Sequence, residues 1–166
     1  MPEVYQTVRQ RFEAWVVHID PDERFPEWTR HGLSAAPPPP RGVLLGPFPD
    51  RDAAGRFIAC AIDAFDLCRE QSLLVQAPTA RACPYKEMGR CPAPCDGSEP
   101  LVSYQARVRR AVGVLRGGLA QVRQRLEADM KAAAAAMEFE HAAELKVQVD
   151  RLKALAAPAL VHAVDL

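Results

Sequence analysis

Apolar and polar positions change rhythm several times along this chain. Residues 14–19, AWVVHI, are a short run rich in β-branched residues that predicts a strand. GVLLGPF at 42–48 predicts a second strand ending in a Gly-Pro turn. Between them FPEW and SAAPPPPRG interrupt the pattern, and the prolines of 37–40 make a stiff extended spacer. From residue 50 the spacing becomes helical: Ala53, Phe57, Ala61, Ala64, Phe65 and Cys68 share one face. That predicts a helix over 50–68, with Asp50 as its N-cap.

A second helical stripe runs through Leu101, Tyr104, Val108, Ala111, Val112 and Leu115, with Ser98 placed to cap it and Pro100 in its first turn. RGG at 116–118 breaks or bends the chain. Leu119, Val122, Leu126, Met130, Ala133 and Met137 then mark a strongly amphipathic helix, whose alanine run at 132–136 lets a neighbour approach closely. After MEFE, the positions Phe139, Ala142, Ala143, Leu145, Val149, Leu152 and Leu155 form the facing stripe. Two such helices with almost no linker predict an antiparallel hairpin, which Pro158 stops. The tail ALVHAVDL reads equally as a short strand or a docked coil. The expected fold is mostly helical α+β. Residues 1–48 form a strand element with its Pro-rich spacer, 49–117 a cysteine-rich helical region, 118–157 the hairpin and 158–166 the tail.

Composition adds constraints. The chain has 166 residues, 49% hydrophobic and 25% charged, which is ordinary for a globular protein. It contains no apolar run long enough to span a membrane, and MPEVYQTVRQRFEAW lacks the apolar stretch of a secretory signal. A cytoplasmic protein is expected, in which clustered cysteines more often bind metal than form disulfides. Net charge is zero but unevenly placed: Arg107, Arg109, Arg110, Arg116, Arg123 and Arg125 precede an acidic block of Glu127, Asp129, Glu138, Glu140, Glu144 and Asp150. The blocks suit either two faces with different partners or two solvated helix faces.

The segment RACPYKEMGRCPAPC at 81–95 holds three of the five cysteines. With Cys68, the residues Cys83, Cys91 and Cys95 make a set of four, enough for tetrahedral zinc or for a [4Fe–4S] cluster. Structural zinc sites usually use paired short knuckles, and only Cys91–Cys95 approaches one; spread ligands suit a cubic cluster. Pro84, Pro92 and Pro94 fix φ around the thiols, and Gly89 permits a turn with positive φ. Arg81, Lys86 and Arg90 would offset thiolate charge. Cys60 reads as a core cysteine.

GPFPDRDAA, FDLC, ACPYKEMGRCPAPC and YQARVRRAVGVLRG, in this order, resemble the central cysteine-rich region of the UvrC family, the nuclease subunit of bacterial nucleotide-excision repair. LEADMKAAAAAMEFEHAAELKVQVDRLKAL at 126–155 resembles the UVR motif, the hairpin through which that family docks on UvrB. The resemblance implies an iron–sulfur cluster on Cys68, Cys83, Cys91 and Cys95, and a UvrB-like partner. Neither a GIY-YIG nor an RNase H-like nuclease pattern is found, so the expectation is the middle of UvrC without either cutting site, and not an enzyme. Lys146-Val147 replaces the family's usual Arg-Asp, which removes one acidic surface position.

The expected partner surface is Met137, Phe139, Ala142, Leu145 and Val149, because a large aromatic at a hairpin tip has little intramolecular core to enter. Two helices of about 18 residues bury little alone, so a second copy of the hairpin is the other expected partner. DNA is a further candidate, through Arg81, Lys86, Arg90, Arg107 and Arg110. Trp15, Trp28, Phe48 and Tyr85 read as core, and His18, His31, His141 and His162 as isolated structural histidines. No hydrolytic set stands out. The competing reading is a zinc-binding adaptor of a proteostasis kinase or chaperone system, similar to the activators of protein-arginine kinases, although those carry CxxC pairs and this chain has none.

Overall fold

The computed structural model describes residues 14–155 and 164–165. Strands β1 (Trp15–Ile19), β2 (Thr29–Gly32) and β3 (Val43–Phe48) come first, followed by helix α1 (Arg51–Ala64). The cysteine segment contains two one-turn helices, α2 (Gln71–Leu74) and α3 (Pro84–Glu87), and a 3₁₀ turn at Pro94–Asp96. Then come α4 (Leu101–Gly113), α5 (Leu119–Ala135) and α6 (Phe139–Leu155), and last a two-residue strand β4 (Val164–Asp165). The tail therefore contributes a strand, one of the two alternatives left by the sequence; residues 158–163 lie outside the described residues.

The sheet is antiparallel in the order β2-β1-β3-β4. β1 is central because its apolar run buries Val16, Val17 and Ile19 completely. β2, TRHG, has no apolar alternation and was not expected; pairing of Thr29–Gly32 with β1 makes it a strand. The β1–β3 register slips between Trp15 and Val17, where Gly46 and Pro47 occupy the bulge. Gly46 has φ +141, and a Cβ there would stand 3.1 Å from the Trp15 carbonyl oxygen, so only glycine fits. Pro47 cannot donate to the ladder, which fixes the irregularity at this point.

α1 begins as expected, with the Asp50 carboxylate accepting from the Ala53 N–H at 2.7 Å. Its face of Ala53, Ala54, Phe57 and Ala61 packs on Val17, Leu45 and Phe48, with the Phe48 and Phe57 rings 4.9 Å apart. The helix stops at Ala64, short of the expected 68, because Phe65 caps it and Asp66 turns the chain at φ +48. Cys68 therefore stands beyond the helix. α4 also starts differently. Pro100 occupies the cap position without a side-chain bond, while the Ser98 N–H bonds Asp96 and the Ser98 hydroxyl accepts from Lys86 at 2.7 Å.

α4 passes into α5 through a widened turn at Val114–Gly118 with its kink at Gly117, so RGG bends the chain without ending it. α5 and α6 form the hairpin. Leu145, Val149, Leu152 and Leu155 are buried along its seam, each contributing about 1.5–3 kcal/mol. Leu152 and Leu155 enter the same core as Val17, Phe48 and Phe57, partly joined by Leu119, Val122 and Leu126. The hairpin thus obtains within its own chain part of the burial that a partner or second copy was expected to supply. A second core gathers Ile19, Leu67, Leu74, Tyr104, Val108 and Val112 between β1, α4 and the start of the cysteine segment.

Truncating Phe57 to alanine removes the ring shared by sheet, α1 and hairpin base. A loss of about 3–5 kcal/mol is expected in denaturant unfolding, whereas Met137→Ala at the exposed tip should stay within about 0.5 kcal/mol.

Candidate thiol centre and hairpin tip

The cysteines are positioned by turns. Cys68 follows the end of α1, Cys83 caps α3, Cys91 follows the reversal after α3, and Cys95 lies inside the 3₁₀ turn. Gly89, at φ +66, makes that reversal as its sequence position suggested, and the Arg90 N–H closes it on the Tyr85 carbonyl at 2.9 Å. Between Pro92 and Pro94, Ala93 takes φ +59, a costly region for a residue with a Cβ. The Ala80 N–H donates to the Cys95 carbonyl at 3.0 Å, tying the segment's start to its end.

All five thiols are free; Cys68, Cys91 and Cys95 are buried, Cys83 and Cys60 half-buried. Cys60 packs at the margin of the first core, as expected, and burial raises its pKa. Cys68 and Cys91 bond thiol to thiol. That bond pushes Cys91 down to about 6, helped by the Ala93 N–H and the Arg107 guanidinium against the cost of burial. The same bond, and then burial, push Cys68 strongly up. Cys95 is raised by burial first and then by the charges of Cys83 and Cys91. The four sulfurs therefore share one electrostatic neighbourhood. Among the described residues, however, no group of three or more cysteine, histidine or acidic side chains stands ready to hold a metal ion. The all-thiol donor set suits a soft metal.

Tyr104 is buried beneath this region, and its hydroxyl accepts from the Cys68 N–H at 3.4 Å. Burial pushes its phenol pKa upward. Arg107 bonds Glu99 at 2.6 Å in a pair whose side chains are 14% and 13% exposed. Burial raises the Glu99 carboxyl while Arg107 opposes that rise.

The basic residues named from sequence separate in space. Arg90 bonds Asp63, and Lys86 bonds Asp96 at 2.6 Å, so both are neutralised locally. Arg81 and Arg110 are exposed and, among the described residues, in no ion pair. Sequence reasoning missed the charge node at the end of α1. Asp63 also bonds Arg69 at 3.0 Å, and Arg151 of α6 reaches Asp66 at 3.2 Å and Asp63 at 3.9 Å. No periodicity could reveal it, because its members are up to 88 positions apart (Asp63 to Arg151) and meet only on folding. Tyr85 lies under the Arg69 guanidinium at 4.7 Å and is not core, unlike Phe48. His18 and His31 are not isolated: their rings meet edge-on at 5.8 Å and both face the Thr29 hydroxyl. His18 donates from Nε2 to the Arg41 carbonyl at 2.6 Å, a structural role. His162 lies outside the described residues.

At the hairpin tip Ala136–Glu138 form the turn, with Met137 at φ +62. Met137 is 76% and Phe139 67% exposed. Ala142 is half-buried, whereas Leu145 and Val149 are buried in the seam and offer no surface. The stripe expected to face a partner is consumed below the tip by the opposing helix, leaving Met137 and Phe139 among exposed Glu138, Glu140 and Glu144.

The fold is a sheet-and-helix core that carries a thiol-rich loop and a two-helix prong. Residues 14–114 match the family described as UvrC/Cho excinuclease, middle domain, and residues 120–155 match the UvrB/uvrC motif. The chain belongs to the UvrC/Cho middle-domain family. It is 39% identical over 109 residues to UvrABC system protein C of Thermus thermophilus, covering 66% of this chain and 18% of that protein. The corresponding protein of Deinococcus radiodurans is 37% identical over 110 residues, covering 66% of this chain and 18% of its own length. That of Stenotrophomonas maltophilia is 28% identical over 159 residues, covering 90% of this chain and 25% of its own. The chain thus spans about a fifth of the length of these curated relatives. No solved structure matches it. No helix among the described residues is long and apolar enough to cross a membrane.

Lys86 and Ser98 hold the Asp96 carboxyl at about 2, below the usual carboxylate range. Its contribution is present above the ordinary carboxyl pKa and is lost as pH falls through about 2. Lys86→Met should return the Asp96 titration, followed by carboxyl-carbon NMR, toward the ordinary value; an unchanged midpoint would show that Lys86 is not the cause.

Proposed function

We propose that this segment is a non-catalytic docking part of nucleotide-excision repair, with the hairpin tip binding a UvrB-like partner and Cys68, Cys83, Cys91 and Cys95 holding a [4Fe–4S] cluster. The observation that carries the first half is the pair Met137 and Phe139, exposed at the tip of a prong whose base is anchored in the core, within the stretch that matches the UvrB/uvrC motif. Two large apolar groups left mostly exposed gain up to about 1.5–3 kcal/mol each on entering a groove. The acidic residues around them favour a partner with a basic rim and speed its approach. Anchoring the base keeps the ordering cost of docking small.

The cluster reading rests on the donor set. A cubic cluster takes one thiolate per iron, and four thiols that act on one another electrostatically supply that number. When bound, the cluster would supply covalent cross-links among the end of α1, α3 and the 3₁₀ turn. The protein's own part is to deliver thiolates. Cys91, lowered by the bond from Cys68 and then by the Ala93 N–H and Arg107, is the thiol most ready to give up its proton. Cys68, held protonated by Cys91, gives up its proton only on ligation. Arg107 offsets the negative charge of the ligand set.

Phe139→Asp should weaken binding to purified UvrB by about 30-fold in calorimetry, with an unchanged melting temperature. Equal affinity would sink the docking reading, and concentration-dependent self-association lost in the same variant would replace UvrB with a second copy. For the cluster, Cys91→Ser after anaerobic purification should lower iron content and loosen residues 69–97 in hydrogen exchange. Colourless wild-type protein with stoichiometric zinc would favour the zinc adaptor instead.

A further inference from the structure

A cleft of about 650 Å³ opens beside the end of α1, between α4, α5 and α6. Phe65, Val122, Leu126 and Leu152 give it an apolar floor, and Arg107, Arg110, Arg151 and Gln148 form its polar rim. Asp66 is the one acid among the lining residues. Two of the arginines are held in place: Arg107 by Glu99, with its Nε buried and without a hydrogen-bond partner, and Arg151 by Asp66. Arg110 is exposed and, among the described residues, unpaired. The cleft lies apart from the hairpin tip and contains none of the cysteines, sharing only Arg107 with the surroundings of the thiol centre.

We propose that this cleft binds a nucleotide of single-stranded nucleic acid, its phosphate on Arg110 and Arg107 and its base on the apolar floor. Guanidinium groups recognise phosphate through paired donors, and held guanidiniums lose little freedom in doing so. A flat base has an apolar face for the floor and ring edges for the Gln148 amide. The volume lies in the range of small-ligand sites, about 300–1,000 Å³, and accommodates a nucleotide but not a duplex. An acidic peptide would match the rim but leave the floor unused, because its charges sit on flexible stems without a planar body. Arg109 supplies an internal control: it is on the same helix, bonds Asp22 at 2.8 Å, and does not line the cleft.

The test is fluorescence anisotropy of a short fluorescein-labelled oligothymidylate with the full chain at low salt. Arg110→Glu should weaken binding by about tenfold and lower the slope of affinity against salt. Gln148→Glu should weaken it and Gln148→Lys should tighten it, at one exposed position where neither change alters the circular dichroism spectrum. Arg109→Glu should change affinity by less than about twofold. Phe139→Asp should leave it unaltered, so failure here is separable from failure of the docking reading. Absence of binding, an equal loss with Arg109→Glu and Arg110→Glu, or displacement by poly-glutamate as effective as by unlabelled oligothymidylate would each overturn the proposal.

Discussion

Burial of the last turns of α6 against the sheet is the interaction on which the remaining arrangement depends. Leu152 and Leu155 share one core with Val17, Phe48 and Phe57. Their position fixes where the hairpin leaves the body, and therefore that Met137 and Phe139 project at its far end. The same packing draws α6 across α4 and α5 and so forms the walls of the arginine-rimmed cleft. An apolar seam suits this purpose because ionic screening does not weaken it as it weakens an ion pair.

The ion pairs have a different part. Asp63 and Asp66 at the end of α1 receive Arg69 and Arg90 from the cysteine segment and Arg151 from the hairpin. The two acids are 42% and 39% exposed, so solvent screens each pair to roughly 0–1 kcal/mol. Such pairs contribute far less than the seam, but they are directional. They set the orientation of the loop relative to the prong, where apolar contact would tolerate sliding. The node physically connects the cysteine segment to the hairpin.

The cysteine segment has little burial to hold it. Its apolar cluster is small, Ala80, Ala93 and Cys95 with Leu73 at the margin. Short helices, proline-fixed turns and a positive φ at Ala93 hold the thiols near one another. A loop with so little core has little other means of resisting local opening, which is why ligation would matter more here than elsewhere in the chain.

What the sequence determined by itself were the elements with strong periodicity: α1, α4 and the hairpin, the two apolar strands, the Asp50 cap and the turn at Gly89. Each follows from interactions within a few residues, which a linear pattern records. Tertiary structure alone decided the remainder. β2 became a strand because β1 offered it a partner. Leu145 and Val149 were withdrawn from the partner surface because the opposing helix covers them. Of the basic residues, Lys86, Arg90 and Arg107 were paired with Asp96, Asp63 and Glu99, and Arg107 also joined Arg110 and Arg151 around a cleft. These outcomes depend on groups far apart in the chain competing for the same space and charge, and only the packed molecule brings them together.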